Sequence, residues 1–303
     1  MSNMDIIKAS PVKPKCAVIL AAYNGGEFIE SQIRSINAQV NVNVTIFVTD
    51  DVSTDDTLSI CLDNGAKIVN NNAKLGSACK NFLFSIGKLD IAHEYDYIFL
   101  SDQDDIWLPE KCIEAIKALE KNNCECYSGS YYLWLPNRRK VIYSNRYFLQ
   151  TDHDYLFRGP GPGFTFAFTA DAYRKIRCNL LTILSDGIQF TWHDWLIYAC
   201  ARHMNLSWYI DKNPYSLYRL HAANETGQAL DFQSYKKRFQ FLFDGSYRAE
   251  ILKFERFAPG DNLISRIKSF SILDRLYLLR MMPTMRSRFV QRIGLTIWLL
   301  HGK

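Results

Sequence analysis

The sequence predicts an α/β protein, with a mostly parallel, Rossmann-like central sheet flanked by helices and a helical C-terminal tail. Within the first 125 residues, four short apolar runs alternate with amphipathic segments, a pattern typical of βαβ units. Acidic residues directly follow two of these runs, where ligands bind in open α/β sheets. Beyond residue 260 the chain is basic, and its apolar residues recur at helical spacing.

The bulk composition is that of an ordinary globular protein. The 303 residues are 48% hydrophobic and 22% charged, so the chain can form a large core without disulfide bonds. The net charge is +5, and residues 260–303 carry eight Lys/Arg against two Asp/Glu. This distribution argues against nucleic-acid binding by the main body. It favours contact between the basic tail and an anionic surface outside the protein.

Cysteine usage and the N-terminus bear on location. The eight cysteines are scattered and form no CxxC pair, so we expect free thiols in a reducing cytosol. The first 15 residues contain no long apolar core, and no signal peptide is expected. The prediction is a cytoplasmic protein.

Strands are predicted wherever short apolar runs are bounded by turn residues. The expected strands cover residues 16–22, 44–49, 66–69, 97–100, 127–135, 141–144, 164–169, 208–210 and 215–219. Between two of them, the glycine- and proline-rich segment 159–163 is expected to form a rigid, exposed turn.

Helices are predicted from apolar spacing and from capping signals. Ser53 and Asp56 have the capping-box spacing, so a helix is expected to begin at about Thr54. Pro109 stands where a proline would open a helix that runs to about Lys121. Further helices are expected around residues 29–36, 82–86 and 191–202.

Three carboxylates follow the strand at 97–100 within four positions: Asp102, Asp104 and Asp105. Such a cluster is electrostatically costly unless a cation lies beside it, although a solvated acidic turn with a helix cap is the ordinary alternative. Carboxylates combined with phosphate oxygens suit Mg²⁺ or Mn²⁺. The abrupt change from strand to acids, with Trp107 beside it, favours a metal-diphosphate site.

Two further clusters lie far along the chain, at His193/Asp194 and at Arg219/His221. Each alone has a structural explanation, since a lone histidine is commonly structural and an arginine near tyrosine can simply stack. Asp194 stands between two tryptophans, and partial desolvation there would raise its pKa toward that of a general base.

These motifs together resemble the family 2 glycosyltransferases of the GT-A fold, in the branch of bacterial rhamnosyltransferase-like enzymes of surface polysaccharide synthesis. The matching stretches are AAYNGGEFIESQIRSI, FVTDDVSTDDT, LGSACKNF, YIFLSDQDDIWLPEK, HDW and YRLHAAN. The resemblance implies transfer of a sugar, with inversion, from a dTDP- or UDP-sugar to a glycan or lipid-linked glycan, assisted by Mg²⁺ or Mn²⁺.

The resemblance also assigns roles to residues. Asp102 and Asp104 would hold the metal, Asp102 also lying near the ribose, and Arg219 and His221 would close on the metal or the diphosphate. Asp194 would be the catalytic base, and the role of Asp105 stays open. The nucleotide pocket would be lined by residues after the first strands: Ala22, Tyr23, Asn24, Asp50, Asp51, Lys74, Gly76 and Asn81.

Two residues depart from the pattern of the family, because Val52 and Asp56 stand where that family usually has glycine. A β-branched residue adopts a left-handed conformation poorly. The turn is therefore expected in the β region or slightly displaced, with no chemical group lost.

Four regions follow from these assignments. Residues 1–14 form a lead-in, 15–125 the nucleotide-sugar half, 126–225 the acceptor and catalytic-base half, and 226–303 a basic amphipathic helical region. The tail helices either pack on the catalytic domain or lie on an anionic bilayer surface. The concentrated charge favours the bilayer and a peripheral location on the cytoplasmic face of the bacterial inner membrane.

Two other functions share part of this pattern with sugar transfer. A nucleotidyltransferase also uses carboxylate-bound Mg²⁺, but it would show a glycine-rich basic signature after the first strand, and AAYNGGEF lacks the basic residues. A degenerate sugar-nucleotide-binding scaffold would have lost metal or base residues, whereas Asp102, Asp104 and Asp194 are present. No GxSxG or Cys–His nucleophile is found, in agreement with a single displacement.

Overall fold

The computed structural model describes residues 12–185, 187–221, 236 and 240–302. The strands within these ranges are β1 (Lys15–Ala22), β2 (Asn43–Asp50), β3 (Lys67–Val69), β4 (Tyr97–Ser101), β5 (Ile106–Trp107), β6 (Cys126–Leu135), β7 (Lys140–Ser144), β8 (Ala167–Thr169) and β9 (Trp208–Arg219). They form one sheet in the order β3-β2-β1-β4-β8-β6-β9-β5, with β7 paired to β6.

The helices flank this sheet and continue to the C-terminus. They are α1 (Ile29–Asn37), α2 (Thr57–Asp63), α3 (Ala78–Lys88), α4 (Lys111–Asn122), α5 (Ala170–Leu184), α6 (His193–His203), α7 (Ser246–Leu252), α8 (Asn262–Ser269), α9 (Ile272–Met285) and α10 (Phe289–His301). None of the helices in the described ranges is long and apolar enough to cross a membrane.

The strand β1 lies inside the sheet, between β2 and β4, and is buried on both faces, which explains its continuous apolar sequence. Alternate side chains point to opposite sides of a strand. Cys16, Val18 and Leu20 therefore join the core beneath α1, α2 and α4, whereas Ala17 and Ile19 join the core beneath α3, α5 and α6. The result is a helix–sheet–helix sandwich.

The pairing register places the predicted site at one edge of the sheet. β1 pairs in parallel with β2 and β4, and Ala22 lies opposite Asp50 while Leu20 lies opposite Ser101. The residues that follow these three strands therefore emerge side by side. The second half of the sheet is mixed, because β8 runs antiparallel to both β4 and β6.

Most predicted elements are present with ends shifted by one or two residues, and one helix start, that of α2, is wrong. α2 begins at Thr57, not near Thr54, since the Ser53 side chain bonds to Asp50 instead of capping the helix. Pro109 precedes α4, whose N-cap is Glu110.

Several other features differ from the sequence expectation. Segment 159–163 is not an exposed turn, because Pro160 and Gly163 are buried. Residues 208–219 form one strand instead of two. β5 and the long helix α5 were not anticipated, and the expected lead-in at 1–14 lies mostly outside the described residues.

The C-terminal helices pack on the α3/α5/α6 side of the sheet. Trp298, Leu299 and Met285 are fully buried and belong to the same core as Tyr198 in α6. His153, in the loop between β7 and β8, donates its backbone N–H to the carbonyl of Thr284 at 2.9 Å. One of the two expected positions of the tail, packing on the catalytic domain, is thus present.

Candidate active site

The acid cluster predicted after β4 is assembled in the structure. Asp102, Asp104 and Asp105 each place a carboxylate oxygen within 4.8 Å of the others. Asp102 and Asp104 are partly exposed, whereas Asp105 is fully buried. Burial, and then the neighbouring acids, raise the pKa of Asp105 well above its usual value. Its Oδ2 atom has no hydrogen-bond partner within the described chain.

The end of β9 closes over this cluster. His221 Nε2 lies 2.8 Å from Asp104 Oδ2, and Arg219 donates from Nε to the Asp104 carbonyl at 3.0 Å. The Arg219 guanidinium lies 4.9 Å from the ring centroid of Phe28 and 4.7 Å from that of Trp134. The structure therefore brings Arg219 and His221 to the acids.

A buried lysine behind the cluster was missed by the sequence analysis. Lys111 Nζ donates to the carbonyl of Phe164 at 2.6 Å and to Ser216 Oγ at 3.1 Å, and it lies 3.9 Å from the Trp107 ring centroid. Burial lowers the pKa of Lys111 to about 7, although Asp105 and Asp102 oppose this shift. No local signal marks the final lysine of SDQDDIWLPEK as buried, because lysine is almost never fully buried without partners and its partner Phe164 is 53 positions away.

Asp51 lies at the end of β2 and is buried. Its carboxylate accepts hydrogen bonds from the backbone N–H groups of Leu75 and Gly76, the latter at 2.8 Å. Gly76 has φ +83°, a left-handed conformation that glycine adopts without strain. Asp51 therefore fixes the loop before α3 against the sheet edge, where the sequence placed the nucleotide.

The loop after β1 is held by groups from two other loops. Gln103, which stands between the acids, accepts from the Tyr23 N–H at 2.8 Å and donates to the Tyr23 carbonyl at 2.9 Å. A Cβ atom at Gly25 would lie 2.3 Å from the Gln103 side chain. Lys74 donates to the Tyr23 hydroxyl at 2.7 Å, which raises the pKa of this exposed lysine. Gln103 is a second residue that the sequence analysis missed.

The turn after β2 corrects the expectation for Val52. Val52 has φ +60° and is 45% exposed, so this β-branched residue does adopt the left-handed conformation. The turn is held on both sides, because the Ser53 N–H donates to Asp50 at 2.8 Å and the Thr54 N–H donates to Asn24 Oδ1 at 2.8 Å. These bonds outweigh the local preference of valine.

Asn81 lies beneath the predicted pocket instead of on its surface. Its buried amide donates to the carbonyl oxygens of Ala22 and Thr49 at 3.1 and 3.0 Å. These two acceptors belong to β1 and β2, so Asn81 ties together the strand ends that carry Tyr23 and Asp51.

Asp194 occupies the first turn of α6 and is partly exposed. Burial of its carboxyl raises the pKa to about 6, against the opposing effects of the Trp195 N–H, which donates to Oδ1 at 2.7 Å, and of the Arg146 charge. The raised pKa predicted from the flanking tryptophans is present, and the carboxyl can exchange a proton near neutral pH.

His193, the neighbour of Asp194, anchors the start of α6. Its ring stacks on Phe82 with centroids 4.2 Å apart, and burial lowers its pKa to about 3. A Cβ atom at Gly163 would lie 2.1 Å from His193 Nε2. The glycine-rich segment is therefore a packing surface for the helix that carries Asp194.

The residues of the acid cluster fit a hard divalent cation. Three carboxylates with closely spaced oxygens are the donors that Mg²⁺ and Mn²⁺ prefer, and soft ligands such as thiolates are absent from this group. The partial exposure of Asp102 and Asp104 leaves that side of the cluster open to a phosphate group.

A family model described as Glycosyl transferase family 2 matches residues 17–177, and the chain belongs to this family. It is a glycosyltransferase with the GT-A fold, and it uses a nucleotide-sugar donor.

Two relatives and one solved structure show which glycosyltransferases the chain is similar to. It is 33% identical, over 93% of its length and 99% of the relative, to the dTDP-rhamnosyl transferase RfbG of Shigella flexneri. It is 31% identical, over 39% of its length and 46% of the relative, to the UDP-Glc:alpha-D-GlcNAc-diphosphoundecaprenol beta-1,3-glucosyltransferase WfaP of Escherichia coli. The structure of S. aureus TarS 1-349 in complex with UDP-GlcNAc aligns with a TM-score of 0.54 at 16% identity, covering 94% of this chain and 81% of TarS 1-349.

Proposed function

We propose that this protein is a metal-dependent inverting glycosyltransferase of bacterial surface polysaccharide synthesis. It moves a sugar, with rhamnose from dTDP-rhamnose as the leading candidate, to a glycan or lipid-linked glycan. The observation that carries the proposal is the carboxylate cluster of Asp102, Asp104 and Asp105 at the sheet edge that also bears Asp51. The rhamnosyl donor is supported by the relative named a dTDP-rhamnosyl transferase.

In this proposal the donor lies along the carboxyl ends of β1, β2 and β4. Asp51 reads the pyrimidine edge, and Tyr23 and Lys74 border the base and ribose.

Asn24 and Asp50 hold the surrounding turns through the bonds of Ser53 and Thr54. Ala22, Gly76 and Asn81 shape the floor of the pocket, since each lies in the network that joins these strands and loops.

Asp102 and Asp104 would hold Mg²⁺ or Mn²⁺, with His221 beside Asp104. A bound divalent ion stabilises the negative charge that develops on a departing diphosphate. Arg219 adds a fixed positive charge next to the same acids, oriented by its bonds to Asp104 and to Ser31 Oγ at 2.9 Å. The buried Asp105 accepts the Arg219 N–H at 3.3 Å and thereby keeps the end of β9 in place.

Asp194 acts as the base. Its Oδ1 atom is engaged by the Trp195 N–H, so Oδ2 takes the proton of the acceptor hydroxyl. The freed oxygen attacks the anomeric carbon as the bond from that carbon to the diphosphate oxygen breaks on the opposite face, which inverts the centre. With a pKa of about 6, Asp194 is mostly ionised at neutral pH and able to accept this proton.

The proposal also covers the acceptor and the location of the protein. The E. coli relative named for a diphosphoundecaprenol-linked sugar supports a lipid-linked acceptor. We place the protein on the cytoplasmic face of the inner membrane, with the basic region 226–303 toward the anionic surface. In the part of the chain before residue 226, residues 15–125 bind the donor. Residues 126–225 bind the acceptor and include the catalytic base.

The test is donor turnover with a panel of UDP-, GDP- and dTDP-sugars, with Mn²⁺ or with EDTA. We expect dTDP-rhamnose to be hydrolysed slowly, faster with Mn²⁺ than with EDTA. Asp194→Asn should lower transfer and hydrolysis while leaving donor binding unchanged, and Asp63→Asn, at an exposed carboxylate on α2, is the matched control. Turnover that ignores both EDTA and Asp194→Asn would overturn the mechanism.

A further inference from the structure

The last two helices expose an unusual amount of apolar surface. Eight large apolar side chains on α9 and α10 are 45% to 78% exposed. We define this set as the apolar face: Ile272, Leu273, Leu276, Phe289, Val290, Ile293, Ile297 and Leu300. Exposed apolar patches of this kind mark interaction sites in soluble proteins.

The apolar face is not left over from poor packing, because each helix buries its other side. α9 buries Leu278, Met282 and Met285 in the protein core, and α10 buries Trp298 and Leu299. On α10 the exposed residues recur at helical spacing along a single stripe, opposite the buried ones. Each helix thus has one side for the catalytic domain and another that points away from it.

Hydrogen bonds join the two helices. Arg275, near the start of α9, donates to the carbonyls of Leu299 and Leu300 at 2.9 and 3.2 Å, at the end of α10. Near the other end of α9, Met282 accepts from Thr296 Oγ1 at 3.4 Å. The helices therefore run antiparallel in contact, and both exposed sides face away from the core.

The charge around the apolar face is positive. Within the described residues 260–302, carboxylate partners are present for Arg266, at Asp274, and for Lys268, at Glu255. Other arginines in this region bond to backbone carbonyls, which leave their charge uncancelled; these are Arg275, Arg288 and Arg292. Arg280 is exposed on α9. A partner must therefore be both apolar and anionic.

We propose that the apolar face docks on an anionic phospholipid bilayer, with α9 and α10 lying in the interfacial plane. Apolar side chains then enter the headgroup boundary while the arginines meet the lipid phosphates. The inference rests on the proposed function in that a lipid-linked acceptor would be presented at the same surface. From the sequence, packing on the domain and contact with a membrane are alternatives. In the structure, they use opposite sides of the same helices.

Truncation of the tail cannot test membrane binding alone, because one side of the tail helices is part of the core. Deleting the tail would remove Trp298 and Leu299 from the core, so a truncated chain tests folding as much as binding. Surface substitutions avoid this. The test variant is Leu273→Gln, Leu276→Gln, Phe289→Gln and Ile293→Gln combined, and Leu58→Gln with Leu62→Gln on α2 is a control at exposed leucines elsewhere.

The full chain is sedimented with vesicles of phosphatidylcholine alone or mixed with phosphatidylglycerol. We expect binding to the mixed vesicles and about a ten-fold or greater loss of binding in the fourfold variant. The α2 control should bind like wild type. Arg280→Gln should weaken binding a few-fold, roughly, and reduce its salt dependence. Circular dichroism and thermal unfolding establish that each variant is folded, and Arg280→Gln tests the proposal through charge should the fourfold variant unfold.

Equal binding by wild type and a folded fourfold variant would overturn the proposal. It would also be overturned by a wild-type dimer in light scattering that the variant converts to monomer, since the face would then bind a second copy. Hydrolysis of dTDP-rhamnose without vesicles should be the same for wild type and variant. Absence of hydrolysis in both, with vesicle binding intact, would count against the proposed function and not against the membrane face.

Discussion

His221 Nε2 lies 2.8 Å from Oδ2 of Asp104, although 117 positions separate the two residues in the chain. The contact exists because β5, directly after the acids, pairs antiparallel with β9, which ends two residues before His221. Ile106 lies opposite Leu217 in this pairing. A two-residue strand therefore joins the acid cluster to the second half of the domain.

This geometry predicts that His221 supports metal binding. We expect His221→Ala to weaken Mn²⁺ binding, in the presence of dTDP, by roughly ten-fold or more, because groups that contact metal ligands orient them. Isothermal titration calorimetry measures the effect. His93→Ala is the control, since that histidine is 72% exposed and lies away from the acids. Unchanged Mn²⁺ affinity in His221→Ala would remove His221 from the metal site.

The raised pKa of Asp194 predicts a pH dependence of transfer. A base must be ionised to act, so we expect kcat/KM for transfer to rise with pH around a midpoint of about 6 and to level off above it. The rate of sugar transfer between pH 5 and 8 gives the profile. A flat profile over this range would contradict the role of Asp194.

The same pKa predicts that the ionised form of Asp194 lowers the free energy of unfolding at neutral pH. Its folded pKa lies above the unfolded value, so folding favours the protonated form, and this stabilisation is lost as pH rises through about 6. Asp194→Asn should therefore raise the free energy of unfolding at pH 7.5 by on the order of 1–2 kcal/mol and should change it little at pH 4. Urea unfolding at the two pH values checks this, and a stability loss at pH 7.5 would contradict it.

Lys111 predicts a structural link between the acid cluster and the segment beside α6. Lys111→Met leaves the Phe164 carbonyl and the Ser216 hydroxyl without their buried donor, so we expect the free energy of unfolding to fall by about 1–3 kcal/mol. Lys117→Met, on the exposed side of the same helix, should change it by less than about 0.5 kcal/mol. Urea denaturation compares the two, and equal effects would show that the buried bonds contribute little.

Val52 predicts a stabilising substitution. Its φ of +60° is strained for valine, so Val52→Gly should raise the free energy of unfolding by up to about 1 kcal/mol, after the entropic cost of glycine. Val141→Gly, at a valine of similar exposure in β7, should lower it instead, because glycine weakens a strand. Thermal unfolding distinguishes the two outcomes. A destabilised Val52→Gly would mean that valine makes contacts that outweigh the strain.

Some of the site could be predicted because its signals are local. Acids that directly follow an apolar strand must emerge at the sheet edge, so Asp51 and Asp102 could be placed from sequence order alone. Gln103 and Lys111 could not, because nothing in their neighbours shows that one reaches back to Tyr23 and the other to Phe164. Their partners are 80 and 53 positions away.

The sequence by itself determined the alternation of strands and helices, the family, and the strand ends at which the acids stand. These features depend on apolar periodicity and on motifs within a few residues, which the chain carries locally. Only the tertiary structure decided that β5 pairs with β9, that Gly163 packs on His193, and that the tail helices have one buried and one exposed side. Each of these depends on which distant segments meet and on where side chains point after packing, and no local pattern specifies either.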